Sequence, residues 1–470
     1  VVGANGLIHV EELAYRYPQR RHSLCLAALD VQPGQVLLLT GPSGCGKSTF
    51  ARCLVGLIPH LYHGDLSGRV VVDGRETAST PLWRLTERAG MVFQNPASQM
   101  LATTVEDEII FGLENLGLPR GEIEERLEAA LVESQLQQLR HRSPLTLSGG
   151  EQQRLALAAI TARRPPALVL DEPLSMLDSV ATQSLVSRLA VLADSGTGIV
   201  VCEHRIEPLR RIPRVTTVAL DGKERGRIEW DLPEERLAYQ PVEPFTLEVR
   251  DLSVRLGARH VLHKLTFAAA GGQVVSIAGR NGVGKTTLLR ALAGLQRHEG
   301  AVEVNGKRPD LAMVFQNPDL QLFNATVREE IMYKVANPDT AWYYCLVDML
   351  GLDGYQDTPP LLLSEGEKKR VALAIALMSK PAHGVLLDEP ALGQDALHKA
   401  RLIRLARALA RSGRLVVMTT HDLSLAVQAD RLLLMDESGF VADGPPGEVL
   451  GDKAAWKRAG LIVPDWVAAP

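Results

Sequence analysis

Short apolar runs that end on a glycine, an acid or a histidine dominate the polarity pattern of this chain. "QVLLLTG" (35–41) and "QVVSIAG" (273–279) lead straight into Gly-rich turns. "LVLDEP" (168–173) and "VLLDEP" (385–390) end on Asp-Glu-Pro, and "GIVVCEH" and "LVVMTTH" end on His204 and His421. Such runs, bounded by turn residues, predict buried parallel strands feeding helices. Within residues 119–140, Ile123, Leu127, Ala130 and Leu131 fall at helical spacing behind Pro119. That predicts a helical insert ahead of "TLSGGEQQRL" at 146–155. The fold class read from this is α/β.

The chain carries the set twice, in one order. "GPSGCGKST" (41–49) recurs as "GRNGVGKTT" (279–287), "MVFQNPASQ" (91–99) as "MVFQNPDLQ" (313–321), and "TLSGGEQQRL" as "LLSEGEKKRV" (362–371). The offset between copies falls from 238 residues at the first motif to 217 at the histidine, so the second copy is shorter. A duplication predicts a first domain over 1–235, a linker over 236–245 around the Pro-rich "YQPVEPF", and a second domain over 246–470.

Composition narrows the class. Apolar residues make up 46% of 470, enough for sizeable cores, and 51 basic against 55 acidic residues argue against a polybasic nucleic-acid binder. Five cysteines (25, 45, 53, 202, 345) show no metal-ligand spacing and suggest a reducing compartment. No apolar run approaches the ~18 residues that span a bilayer, and no signal-peptide layout is visible. The expectation is a soluble, cytosolic chain.

G-x-x-x-x-G-K-[ST] is matched in full at Gly41–Ser48 and Gly279–Thr286. Glycines let backbone N–H groups converge on phosphate, and the helix N-terminus adds a positive end. Lys47 or Lys285 reaches the β/γ oxygens, and Ser48 or Thr286 holds Mg²⁺. The loop residues Ser43, Gly44, Cys45, Gly46 and Thr49, and their counterparts Asn281, Gly282, Val283, Gly284 and Thr287, complete the cradle expected for ATP. Asp171 and Asp388 supply a carboxylate to the metal, and Glu172 and Glu389 are candidates to orient or deprotonate a water. Cys45, beside a helix N-terminus, has its thiolate favoured, so alkylation there is expected to block the first site; a small filler in the loop is the plainer role.

The Walker A loops, Gln94 and Gln316 after a strand, "LSGGE", Asp-Glu and the trailing histidines together resemble the nucleotide-binding domains of ABC ATPases, twice over nearly the whole chain. The resemblance implies two RecA-like parallel-sheet cores, each with a helical subdomain, paired head to tail. Each ATP would lie between the Walker A of one lobe and the signature of the other: Ser148, Gly149, Gly150 and Glu151, or Ser364, Glu365, Gly366 and Glu367. It further implies that Gln94 and Gln316 sense the γ-phosphate, the metal and a membrane partner, and that His204 and His421 contact the γ-phosphate.

"VFQNPASQMLATTVEDEIIFGLENLGLP", "VFQNPDLQLFNATVREEIMY" and "GLIPHLYHGDLSGRVVVDG" are similar to energy-coupling factor (ECF) transporter ATPases. That resemblance implies uptake of a vitamin or metal cation, with two partners: a transmembrane scaffold of the T-component kind and a small substrate-binding membrane subunit. The chain would sit peripherally on the cytoplasmic side of the membrane and bind no nucleic acid. Gln99, Gln321, Glu106, Asp107, Glu108, Glu329 and Glu330 would then lie near the docking surface. Thr104-x-x-Asp107 and Thr326-x-x-Glu329 also read as helix caps, with acids favoured by the dipole.

Two departures predict unequal sites. Glu365 replaces the first signature glycine. Aimed at a phosphate ~6 Å away, its charge costs roughly 3 kcal/mol at an effective ε of ~20; turned to solvent, it costs nothing. Tyr17 stands where the family stacks an aromatic on adenine, worth ~1–3 kcal/mol per base, and Leu256 stands there in the second copy. Asp178 and Asp395 are retained in the two D-loops. The rival function is a soluble twin-ABC ATPase acting on ribosomes or DNA, though the Fe–S cysteines, long charged linker or inserted arm usual for that class are not visible.

Overall fold

The computed structural model describes residues 6–18, 23–42, 45–175, 177, 179–204, 206–220, 242–257, 259–392, 394 and 396–461. Ser43, Gly44, Asp178, Asp395 and most of the expected linker lie outside them. The chain divides into two compact units, Val1–Gly226 and Arg227–Pro470.

In the first unit, β3 (Val36–Thr40), β6 (Ala89–Val92), β7 (Ala167–Asp171), β8 (Gly198–Cys202) and β9 (Val215–Ala219) form a parallel sheet in the order β6-β7-β8-β3-β9. β7 and β8 are buried at every position, which is why they read as unbroken apolar runs. A second, antiparallel sheet, β2-β1-β4-β5, is built from β1 (Ile8–Arg16), β2 (Ser23–Val31), β4 (Asp65–Val72) and β5 (Arg75–Glu76). The helix Lys47–Leu54 packs between the sheets through Phe50, Ala51, Cys53 and Leu54.

The second unit repeats the plan. β10 (Thr246–Leu256), β11 (Arg259–Ala270) and β13 (Glu299–Val304) make the antiparallel sheet. The core sheet has the order β14-β15-β16-β12-β17-β18, from β12 (Val274–Gly279), β14 (Leu311–Val314), β15 (Gly384–Asp388), β16 (Leu415–Thr419), β17 (Arg431–Asp436) and β18 (Gly439–Gly444). It is parallel except for the edge pair β17–β18.

The helical insert is present in both units. Arg120–Glu133 buries Leu127, Ala130 and Leu131 against Val105, Ile109 and Leu113 of the helix Val105–Glu114 and Leu155 and Ala158 of Gly149–Thr161. Gln135, at φ 55°, ends that helix just after the last spaced apolar residue, Leu131. The second insert is shorter, with helices Val327–Met332 and Thr340–Met349. Among the described residues, no helix is long and apolar enough to cross a membrane.

Candidate functional site

In both units the strand-to-helix turn after β3 or β12 sets the geometry. Gly46 (φ 107°) and Gly284 (φ 112°) immediately precede the helices Lys47–Leu54 and Lys285–Leu292. The left-handed backbone demands glycine at both positions, and a Cβ would also press on the movable ends of Leu24 (3.0 Å) or Leu262 (2.8 Å). Among the described residues neither helix shows a side-chain cap hydrogen bond, and neither carries an acid in its first turn, which suits the positive end of each to an anion. Lys47 Nζ donates to Gly41 O (2.9 Å) and Pro42 O (3.2 Å), and Lys285 Nζ to Gly279 O (2.8 Å) and Arg280 O (3.1 Å). Val283 is buried, Thr49 and Thr287 are half-buried, and half-buried Cys45 keeps its Sγ 3.9 Å from Lys47 Nζ.

The hydroxyl after each lysine meets the carboxylate at the end of a neighbouring strand. Ser48 Oγ donates to Asp171 Oδ1 at 3.0 Å, and Thr286 Oγ1 to Asp388 Oδ1 at 3.1 Å. These are hard oxygen donors, one hydroxyl and one carboxylate per unit, which fits Mg²⁺ completed by phosphate oxygens and water. Burial, reinforced by the Glu172 charge, pushes the Asp171 carboxyl up to about 6. Asp388 is also raised by burial, but a second hydroxyl opposes it: Thr419 Oγ1 donates at 2.7 Å. The first unit has Cys202 at that position, its thiol pushed well up by burial.

The next residue along carries the reactive candidate. Glu172 (φ 48°) and Glu389 (φ 47°) are left-handed, which turns each carboxylate off the strand. Gln94 Nε2 donates to Glu172 Oε2 at 2.8 Å, and His204 Nε2 lies 3.1 Å from Glu172 Oε1, near but poorly aligned for a hydrogen bond. In the second unit His421 approaches Glu389 Oε2 through Nδ1 at 2.9 Å, and its backbone N–H donates to the same oxygen at 3.3 Å. Burial pushes Glu389 upward, but His421 and Lys285 outweigh it and hold the carboxyl down at about 2. Gln316 makes no bond to Glu389 among the described residues.

Phosphate loop, strand-end Asp-Glu and histidine thus converge in each unit, joined in the first by Gln94. The family described as "ABC transporter" matches residues 26–175 and 262–392. The chain belongs to the ABC transporter family. A protein of Treponema denticola provisionally named an ABC transporter ATP-binding protein is 32% identical, over 93% of this chain and 97% of its own. YkoD of Bacillus subtilis, provisionally named an HMP/thiamine import ATP-binding protein, is 31% identical over 98% and 96%. Among solved structures, ribosome-bound archaeal Pelota and ABCE1 align with TM-score 0.67 at 20% identity, covering 95% of this chain and 80% of that one; the likeness is one of fold. As a tandem ABC ATPase, the chain binds and hydrolyses ATP.

The signature stretches of this ABC ATPase are helix starts. Ser148 caps Gly149–Thr161 and Ser364 caps Glu365–Met378, each in a reciprocal box with Glu151 or Glu367 three residues on. Ser148 Oγ also donates to Glu151 Oε2 at 2.7 Å. Gly150 is buried and Gly149 and Gly366 are half-buried in the first turns of these helices. Glu365 has a side chain 39% exposed, with Oε1 3.7 Å from Lys368 Nζ.

Several of the residues expected near a docking surface are engaged inside their own unit. Glu108 and Glu330 are buried, and each carboxylate accepts two backbone N–H groups: Leu101 and Ala102, or Phe323 and Asn324. Glu106 is bonded to Arg140 and His141. Gln99 accepts from Phe93 N and Gln321 from Phe315 N, closing the loops that carry Gln94 and Gln316. Thr104 and Thr326 cap their helices by accepting from Asp107 N and Glu329 N. Burial decides this: a carboxylate inside a loop is used where orphan N–H groups need an acceptor.

Tyr17 is half-buried, edge-on to Tyr15 at 4.8 Å, and its hydroxyl accepts from Arg52 at 3.0 Å. Arg52 also lies 4.8 Å over the Tyr62 ring. Its counterpart Arg290 lies over Phe315, and Leu256 is 46% exposed. Sequence reasoning missed Arg52 and Tyr62, and also Glu203, whose buried carboxylate accepts from Leu174 N and His204 N. The available signal for Glu203 was an acid at the end of a wholly apolar strand.

Proposed function

We propose that this chain is the ATPase of an ECF-type membrane importer for a vitamin or metal cation. It would lie peripherally on the cytoplasmic side, with one ABC domain over 1–235, a linker over 236–245 and a second over 246–470. The two domains close on two Mg·ATP and reopen on hydrolysis. Lys47 and Lys285 hold the β/γ oxygens, and Ser48 with Asp171 and Thr286 with Asp388 hold Mg²⁺. Glu172 and Glu389 orient the attacking water, and His204 and His421 steady them and the γ-phosphate. Ser148–Glu151 and Ser364–Glu367 each complete the site of the opposite domain, and Tyr17 stacks on one adenine.

The observation that carries the reading is the loop holding Gln94 or Gln316. Its root lies beside the reactive glutamate in the first unit, and its far side exposes apolar surface: Leu101 at 74%, Leu320 at 62% and Phe323 at 66%. Bulky apolar groups held in water by a buried glutamate suit a protein partner, and a membrane scaffold would receive the motion there. The import named for the B. subtilis relative supports the same direction. The ribosome-bound neighbour shares the fold at 20% identity, a likeness of fold that carries no role.

Affinity purification of tagged chain from detergent-solubilised membranes of its source tests this. One multi-span scaffold with one or more small membrane proteins supports the reading. Ribosomal or DNA-repair proteins alone, with the chain in the soluble fraction, sink it.

A further inference from the structure

In the second unit, three charged side chains link two elements that the first unit joins without charge. Lys368, in the signature helix Glu365–Met378, has a side chain only 10% exposed. Its Nζ donates to Asp319 Oδ1 at 2.7 Å and lies 3.7 Å from Glu365 Oε1. Asp319 belongs to the turn Pro318–Leu320, which follows directly on Gln316 and Asn317 and is capped by the Asn317 side chain. The matching residues of the first unit are Gly149, Gln152 and Ala97. There Gln152 Nε2 donates to Pro144 O, in the segment leading into its own helix.

All three charges occur together in one copy and are missing together from the other. Each alone is unfavourable or idle: Glu365 would add an unbalanced acid at the signature, and Lys368 a nearly buried cation with no counter-ion. Together they balance. The same internal comparison explains how the second copy tolerates its odd signature.

We propose that Lys368 is a positioning residue that ties the second unit's glutamine loop to its own signature helix and holds the Glu365 carboxylate aside. The inference rests on the reading that the signature stretch serves a nucleotide. Movement of the loop around Gln316 then carries Ser364 and Gly366 with it. The first unit, with Gln152 turned to Pro144, lacks this ionic tie.

The test uses the full chain and the variants Lys368→Gln, Asp319→Ala, their double, and Lys368→Arg. Steady-state ATPase gives kcat and KM, and hydrogen exchange reports residues 316–321 and 364–370. Lys368→Gln and Asp319→Ala should each lower kcat roughly fivefold, the low end of coupling between sites, with KM less affected. Both should speed exchange over 316–321, the double should be no worse than Lys368→Gln, and Lys368→Arg should recover to within about twofold. Parent-like kcat in Lys368→Gln overturns the proposal. So do losses that multiply in the double, or a change in exchange and melting temperature with kcat and KM intact. Ser364→Ala checks the underlying reading separately. Parent-like turnover there means the signature role has failed, whereas loss there with an unaffected Lys368→Gln refutes the positioning role alone.

Discussion

The two units hold the same phosphate-loop lysine, hydroxyl and strand-end carboxylate at nearly the same distances, yet the groups behind them differ. Glu172 accepts from Gln94 and has His204 3.1 Å from its other oxygen, whereas Glu389 is approached by His421 through both Nδ1 and the backbone N–H. Thr419 gives Asp388 a second hydroxyl; Cys202 gives Asp171 none. Arg52 serves Tyr17 and Tyr62, while Arg290 turns to Phe315. The lysine, the hydroxyl and the strand-end carboxylate recur in both copies, while the groups behind them differ. Supports set rates and pKa values without changing the chemistry, so unequal sites can share one motif set.

The largest effect that would break this comparison is on hydrolysis. Glu172→Gln and Glu389→Gln each remove a candidate base, and general-base contributions run about 10²–10⁴-fold. Single-turnover assays should give unequal losses, and equal losses would sink the asymmetry. Next come the buried supports. Glu330→Ala leaves the Phe323 and Asn324 N–H groups without their charged acceptor, at about 1.5–3 kcal/mol per bond, read as a lower urea midpoint. Thr419→Cys, which copies the first unit, should cost about 1–3 kcal/mol through Asp388 and the Glu389 N–H.

The pH dependence of stability should have opposite signs at Glu389 and at Asp171. Glu389 is depressed from the usual 4.5 to about 2, so its contribution is full above about 4.5 and is lost as pH falls toward 2. Asp171 is raised from 3.8 to about 6, so the fold favours its protonated form and loses stability as pH rises from about 4 to 6. Urea midpoints across pH 2–7 in chelator should show a flatter acid limb in Glu389→Gln and a flatter loss between about pH 4 and 6 in Asp171→Asn; a limb left unchanged by its own substitution refutes the assignment. The smallest effect is Tyr62→Ala, which removes the ring under Arg52. It should cost about 0.5–1 kcal/mol, with any loss in nucleotide affinity confined to the first unit.

Much of the architecture was legible because buried parallel strands leave unbroken apolar runs, and because a phosphate-binding turn can be written with few residues. Gly46 and Gly284 had to be glycine, and "GKS" and "GKT" announced where. The signature serine and glutamate, which as a motif point to phosphate, also form a reciprocal capping box, and S-x-x-E is itself a helix-start signal. The acids after Gln94 and Gln316 were assigned partly to a partner. Polarity alone does not tell a carboxylate facing water from one wrapped by N–H groups, and Glu108 and Glu330 are the wrapped kind.

By itself the sequence determined the α/β class, the duplication, the phosphate loops and the pairing of Asp with Glu at two strand ends. These follow from local rules: period, turn chemistry and contiguous motifs. Only the tertiary structure decided where the Glu365 carboxylate lies, because its neighbour Lys368, one turn on, is held by Asp319, 46 residues earlier in the chain than Glu365. It likewise decided that Arg52 reaches back to Tyr17 and that Gln94 meets Glu172. Side-chain direction and burial are set by packing between distant segments, and no local pattern records them.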